Sequence, residues 1–220
     1  MKTFCSISRF AVLTALVSLS TSLGMAATTT GSAVVTSVRG NGLIGDQPAK
    51  VNAVVQPGTT LVTGPDSTID LNLKANGPFV RVLPESRLSI DDLTINSDGA
   101  ETVISTRLGL KAGKVSGYVK KTSDQSRYTV ETPTTTAAIR GTTYLISADG
   151  DVWVKEGCVN VTFRNISYSV CAGQGFDPRV PGVIDLSPEK LEMITPGGFI
   201  PTGERPTAPV GPVVNVSPVK

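Results

Sequence analysis

The sequence predicts an all-β fold: a twisted β-sandwich or short β-solenoid-like stack of many short strands, with a short C-terminal helix and a Pro-rich tail. Three observations predict it. Gly (22) and Pro (15) are frequent among 220 residues, and Thr, Ser and Val recur, a mix that makes strands joined by tight turns. Short runs alternate apolar and polar residues at period two, as in Ile69-Asp-Leu71-Asn-Leu73 and Val152-Trp-Val154, so each strand has one face for a core and one wetter face. Helix-forming residues are scarce beyond the first 27. With 40% apolar residues the chain can fill a core, although charged residues (17%) and aromatics (5%) are sparse.

Taken in order, residues 1–26 read as a secretory signal. Lys2 and Arg9 supply the positive end, Phe10 to Leu23 is uncharged and mostly apolar, and Gly24-Met25-Ala26 offers small residues to a peptidase. Cleavage is expected after Ala26, with Ala27 as the alternative; an uncleaved N-terminal anchor is the competing reading. No other stretch is apolar enough to span a bilayer, so no transmembrane segment is expected after signal removal. Processing leaves 18 basic residues against 18 acidic, which gives no electrostatic case for nucleic acid. The expected location is periplasmic or secreted.

Residues 27–32 read as a flexible lead and residues 33–180 as the β domain. Strands are expected near 33–39, 51–55, 68–73, 79–83, 87–95, 101–110, 114–120, 127–131, 142–147, 151–155, 158–163 and 166–171. A weak repeat, Pro65-Asp-Ser67-Thr-Ile69 and Pro84-Glu-Ser86-Arg-Leu88, places a Pro–acid–Ser turn before each of two strands, 19 residues apart. Those turns are expected to stack along one edge of the sheet. Residues 181–195 form an extension with a short helix over 187–194. Ser187 caps it, Pro188 opens it, and Leu191, Met193 and Ile194 make its apolar side. Residues 196–220 read as a Pro-rich disordered tail.

Of three cysteines, Cys5 leaves with the signal. Cys158 and Cys171 are placed symmetrically about Arg164-Asn165. If those two residues form the loop of a hairpin, Phe163 faces Ile166, and Cys158 faces Cys171 on a pair not joined by hydrogen bonds, where a disulfide fits. Two buried thiols are the alternative.

The chain has no His, which removes the commonest general base and metal ligand. Gly40-Asn-Gly42-Leu-Ile-Gly45 matches a dinucleotide pattern, but no helix follows to hold a pyrophosphate, so a glycine-rich hairpin is expected. Gly109 to Gly113 reads as a β-turn, and Asp91-Asp92 as a solvated strand end whose carboxylates face opposite ways. No enzyme, cofactor or metal site is expected.

The stretch Thr132-Pro133, a run of small residues, then Arg140-Gly141-Thr142 resembles the hallmark of the FecR-type periplasmic domain family. Further pieces occur in the family's order: Leu61-Val-Thr63-Gly64-Pro-Asp-Ser67, Leu83-Pro84-Glu-Ser86, Leu108-Gly-Leu-Lys-Ala-Gly113-Lys-Val115, Val154-Lys-Glu156-Gly157-Cys-Val159-Asn-Val161 and Gly173-Gln174. The resemblance covers residues 33–178. Regulators of this family carry a cytoplasmic arm that holds a sigma factor, whereas here an export signal begins at residue 1, so that relay is not carried over. What the resemblance implies is a stand-alone exported module that binds an envelope or secreted protein partner, as a binding or signalling unit or as a structural part of an envelope assembly. Within the hallmark, Arg140 is expected to be partly buried, tying two turns together; an exposed partner contact is the alternative. Gly141 is expected to be a backbone necessity, either at positive φ or at a close approach of strands. Trp153 faces away from Val152 and Val154, toward a second core layer or as an interface anchor.

Overall fold

The computed structural model describes residues 27–77, 79–97, 102–120 and 123–194. The expected signal (1–26) and Pro-rich tail (196–220) lie outside the described residues.

Among the described residues the strands are β1 (Ala27–Thr30), β2 (Ala33–Arg39), β3 (Gly42–Ile44), β4 (Gln47–Pro48), β5 (Val54–Val55), β6 (Thr60–Thr63), β7 (Thr68–Asn72), β8 (Phe79–Val82), β9 (Arg87–Ser97), β10 (Thr102–Ala112), β11 (Lys114–Val119), β12 (Arg127–Glu131), β13 (Thr135–Ser147), β14 (Val152–Phe163), β15 (Ile166–Cys171), β16 (Gln174–Phe176) and β17 (Val183–Asp185). Among the described residues one α-helix, α1 (Pro188–Met193), follows them, and a 3-10 turn lies at Lys74–Asn76. The protein is all-β, a strongly curled mixed sheet forming a half-barrel.

The sheet curls because its longest strands serve two neighbourhoods. The first part of β13 pairs with β12 and its last part with β11; β14 likewise pairs with β16 at its start and β15 at its end. From β13 one ladder runs through β11, β8 and β7 to β2, and the other through β12, β10, β9 and β6 to β3. β2 and β3 are consecutive across Gly40-Asn41, so the two ladders face each other over one core. The β10–β12 pair is parallel.

Alternation fills that core. Ile69 and Leu71, Val80 and Val82, and Val152 and Val154 are fully buried from one side, with Leu88, Ile90, Leu108 and Leu110 from the other. Each such side chain stabilises by about 1.5–3 kcal/mol relative to exposure. Tyr128 and Tyr144 meet inside the core with their hydroxyl oxygens 3.0 Å apart. Burial pushes both phenols above their ordinary pKa.

The repeated Pro–acid–Ser turns stack along one end of the β2–β7–β8–β11–β13 ladder. Asp66 and Glu85 take positive φ (51° and 54°). Ser67 and Ser86, both buried, donate to the carbonyls of Pro65 and Pro84 (2.8 and 3.1 Å). Each hydroxyl oxygen also accepts the next rung's backbone N–H, from Asn41 at 2.9 Å and Lys114 at 2.8 Å. Backbone bonds continue the stack: Gly64 N to Asn41 O, Glu85 N to Gly64 O, Leu83 N to Lys114 O and Ala148 N to Gly113 O. Gly113 sits at φ 73° directly against the Ser86 hydroxyl, where a Cβ would collide.

Several expectations are corrected. Residues 27–30 of the expected flexible lead form β1, antiparallel to Thr94–Ser97; the β-branched Thr28, Thr29 and Thr30 suit a strand, and the end of β9 offers them an edge. The strand expected at 142–147 begins at Thr135, and those at 151–155 and 158–163 are one strand. Strand 51–55 shrinks to Val54–Val55. The expected helix forms, with the Ser187 hydroxyl accepting from Lys190 N at 3.5 Å, but Met193 is 58% exposed while Ile194 is buried. Asp91-Asp92 lies within β9 rather than at its end: the Asp92 carboxylate accepts from the hydroxyls of Thr94 and Ser105.

Candidate functional site

The hallmark forms one continuous device on β12–β13–β14. It begins at the turn between β12 and β13. Thr132 N donates to Thr135 O (2.8 Å), and the Thr132 hydroxyl oxygen accepts from Thr135 N (2.9 Å). Pro133, exposed, fixes φ at the turn without sacrificing a needed N–H. β13 then runs with Thr135, Ala137 and Ile139 buried and Thr136, Ala138 and Arg140 outward.

Gly141 takes φ 63°, the first of the two alternatives expected for it, and the register between β13 and β14 shifts here, between Arg140 and Thr143. Opposite it, Gly157 takes φ 80°, and a Cβ there would strike the Gly141 carbonyl oxygen. Thr142 is fully buried, its hydroxyl 2.9 Å from Cys158 O and 3.0 Å from Arg140 O. Two glycines and one threonine thus bend both strands where β13 leaves one ladder for the other. The motif's glycine and threonine serve the backbone.

Arg140 serves the surface. It is exposed, with 42% of its side chain accessible, and its guanidinium pairs with the Asp124 carboxylate. This corrects the expected partly buried guanidinium. The physical reason is parity: Ala137 and Ile139 face the core, so Arg140 must face out. Arg140 lies on the rim of a shallow groove of about 290 Å³, with Asp124, Arg127, Thr129, Ala138 and Asn160. Register explains the gathering, since Thr129 pairs with Ala138, Ala138 with Asn160 and Arg140 with Cys158. Two arginines against one carboxylate leave the groove an excess of positive charge. Asp124, Arg127 and Asn160 were not singled out from the sequence. Once the Cys158–Cys171 hairpin is read, Asn160 follows, because it lies two residues from Cys158 on the same face.

The hairpin has the register read from the sequence: Phe163 opposite Ile166, and Cys158 opposite Cys171 with Cα atoms 4.0 Å apart and sulfurs bonded. Arg164 and Asn165 both take positive φ (47° and 64°), the conformation a two-residue turn requires. Trp153 lies away from the groove, on the outer face of β14. It packs with Leu145, Leu186, Leu191 and Ile194, and the Lys190 ammonium lies 5.3 Å from its ring centre. It is the floor of a small second core under α1.

Gly40 to Gly45 forms a corner and a hairpin: Gly40 and Gly45 take positive φ, and β3 pairs with β4.

The family described as "FecR protein" matches residues 59–160. No curated protein matches the chain. Two crystal structures of an anti-sigma factor candidate from Parabacteroides distasonis are similar to it. One is at 10% identity with TM-score 0.47, covering 60% of this chain and 62% of the other. The second is at 11% identity with TM-score 0.36, covering 76% and 63%. The chain therefore spans about three-fifths of the length of each. Residues 59–160, the stretch that contains Arg140-Gly141-Thr142, match the FecR protein family.

Proposed function

We propose that this chain is an exported, non-enzymatic binding module of the bacterial envelope, and that the Arg140 groove receives an acidic segment of a protein partner. One observation carries the reading: the hallmark's charged residue stands on the rim of a groove instead of in the core. Asp124, 87% exposed on the turn before β12, occupies the guanidinium as a partner carboxylate would. The strands beneath are held by the Thr142 clamp and the Cys158–Cys171 bridge, so the groove is presented rigidly. A disulfide persists in an oxidising compartment, in keeping with the export segment read at residues 1–26.

A photo-reactive amino acid placed at Ala138 is the test. The reading expects cross-links to one envelope protein, lost in Arg140→Glu while thermal stability is kept. Cross-links that survive Arg140→Glu would end it.

A second reading, a structural part of an envelope assembly, rests on β15. Among the described residues β15 pairs with β14 alone, and Ile166–Cys171 contains neither charge nor proline to discourage edge pairing. Sedimentation separates the two: concentration-dependent polymers favour assembly, and a monomer favours the binding module.

A further inference from the structure

The disulfide stands on the same outer face as the groove. Directly paired residues of neighbouring strands point to one face of a sheet, and the register pairs Arg140 with Cys158 and Cys158 with Cys171. Arg140, Cys158 and Cys171 therefore make one row across β13, β14 and β15, beside the row of Ala138, Asn160 and Ser169. Cys158 is exposed and Cys171 half-buried. The Ser169 hydroxyl lies 4.0 Å from the Cys171 sulfur. Beneath the bridge Val159, Val161, Phe163 and Val170 are buried in the main core, so packing holds β14 to β15 when the bridge opens.

We propose that Cys158–Cys171 is a thiol-exchange site, at which a small thiol carrying carboxylates attacks Cys158. A thiolate attacks a disulfide sulfur in line with the bond that breaks. That bond runs from β14 towards β15, so the approach to Cys158 comes from the β13 side, where Arg140 stands. The incoming thiol is anionic, and Arg127 and Arg140 against Asp124 leave this approach an excess of positive charge. Glu156, the carboxylate near Cys158 on β14, accepts from the Thr143 hydroxyl at 3.3 Å. In the step itself the incoming sulfur bonds to Cys158 Sγ and the Cys158–Cys171 bond breaks. The electron pair leaves on Cys171 Sγ, where the Ser169 hydroxyl donates to the thiolate until solvent protonates it. The products are a mixed disulfide at Cys158 and a thiol at Cys171. Attack by Cys171 in return closes the bridge and expels the small thiol, so the exchange needs no other oxidant or reductant. It draws on the charge of the groove and on no protein bound there.

Glutathione, an acidic thiol, and cysteamine, a cationic one, test it on the folded full chain. Each rate is taken per thiolate and scaled to the same thiol's rate with a small neutral disulfide. At low salt glutathione should open the bridge at least about fivefold faster than cysteamine. Arg140→Gln, a change at an exposed side chain, should reduce that preference to about twofold or less. The rate should rise in proportion to glutathione, without the plateau of a bond reached only by unfolding. Quenching with iodoacetamide at an early time, followed by peptide mapping, should find glutathione on Cys158 and the alkyl group on Cys171. Equal scaled rates for the two thiols, a preference that survives Arg140→Gln, a plateau at high glutathione, or glutathione on Cys171 would each overturn the proposal. All of these measurements are made without a protein partner, so the cross-linking test at Ala138 stands or falls separately.

Discussion

Replacing Gly157 by Ala strikes the bend at its tightest point. Gly157 holds φ 80°, which costs an L-residue about 1–2 kcal/mol. The added Cβ would run into the Gly141 carbonyl oxygen and lie 2.8 Å from the Thr142 hydroxyl. Neither neighbour is the end of a flexible chain, so β13 must move away from β14. That movement pulls Thr142 from Cys158 O, leaving a buried hydroxyl or carbonyl without its partner for about a further 1–3 kcal/mol. Together the loss is about 2–5 kcal/mol, a large part of a typical domain's stability. Urea unfolding followed by Trp153 fluorescence measures it, with the disulfide intact. The midpoint should fall steeply while the slope with urea stays constant, because the surface exposed on unfolding is unchanged. A loss below about 1 kcal/mol would refute the reasoning, since it would mean the two glycines do not touch.

Other perturbations follow the same physics. Replacing both Cys158 and Cys171 by Ser opens a loop of about 14 residues and should lower stability by about 3 kcal/mol, read as the difference in urea midpoint times the common slope. Tyr128 and Tyr144 titrate in the unfolded chain near pH 10 but stay protonated when folded, because burial raises both. The folded state then holds more protons, so stability is intact below about pH 10 and falls as pH rises beyond it, by up to about 1.4 kcal/mol per pH unit for each phenol. Urea midpoints between pH 9 and 11.5 check this; Tyr144→Phe should flatten the decline, and an unchanged slope would contradict the buried pair.

The sequence disclosed most where one residue's geometry determined the next. The Cys158–Cys171 register follows from symmetry about Arg164-Asn165, and the stacked turns follow from two copies of Pro–acid–Ser whose serines each accept from a neighbouring rung, Ser67 from Asn41 before it and Ser86 from Lys114 after it. The strands that escaped were those whose signal lies in their neighbours. Thr135 to Gly141 holds mostly small residues and reads as a loop; its strand character comes from β12 and β14 on either side. Thr60–Thr63 was legible as a turn motif but not as a strand, because four residues carry little periodicity. Ala27–Thr30 pairs with an edge that no local pattern announces. The exposure of Arg140 was within reach: alternation from Ala137 and Ile139 dictates it once β13 is known to be a strand. The groove itself was not, since Asp124, Arg127 and Asn160 converge only through the pairing of three strands.

The division of labour within Arg140-Gly141-Thr142 is tested most directly by comparing the thermal unfolding of Arg140→Ala and Thr142→Val. Thr142→Val keeps the shape but removes a buried hydroxyl, and should cost about 1–3 kcal/mol. Arg140→Ala removes an exposed ion pair and should change stability by less than about 1 kcal/mol. A melting temperature lowered more by Arg140→Ala than by Thr142→Val would contradict the assignment of the arginine to the surface and the threonine to the bend.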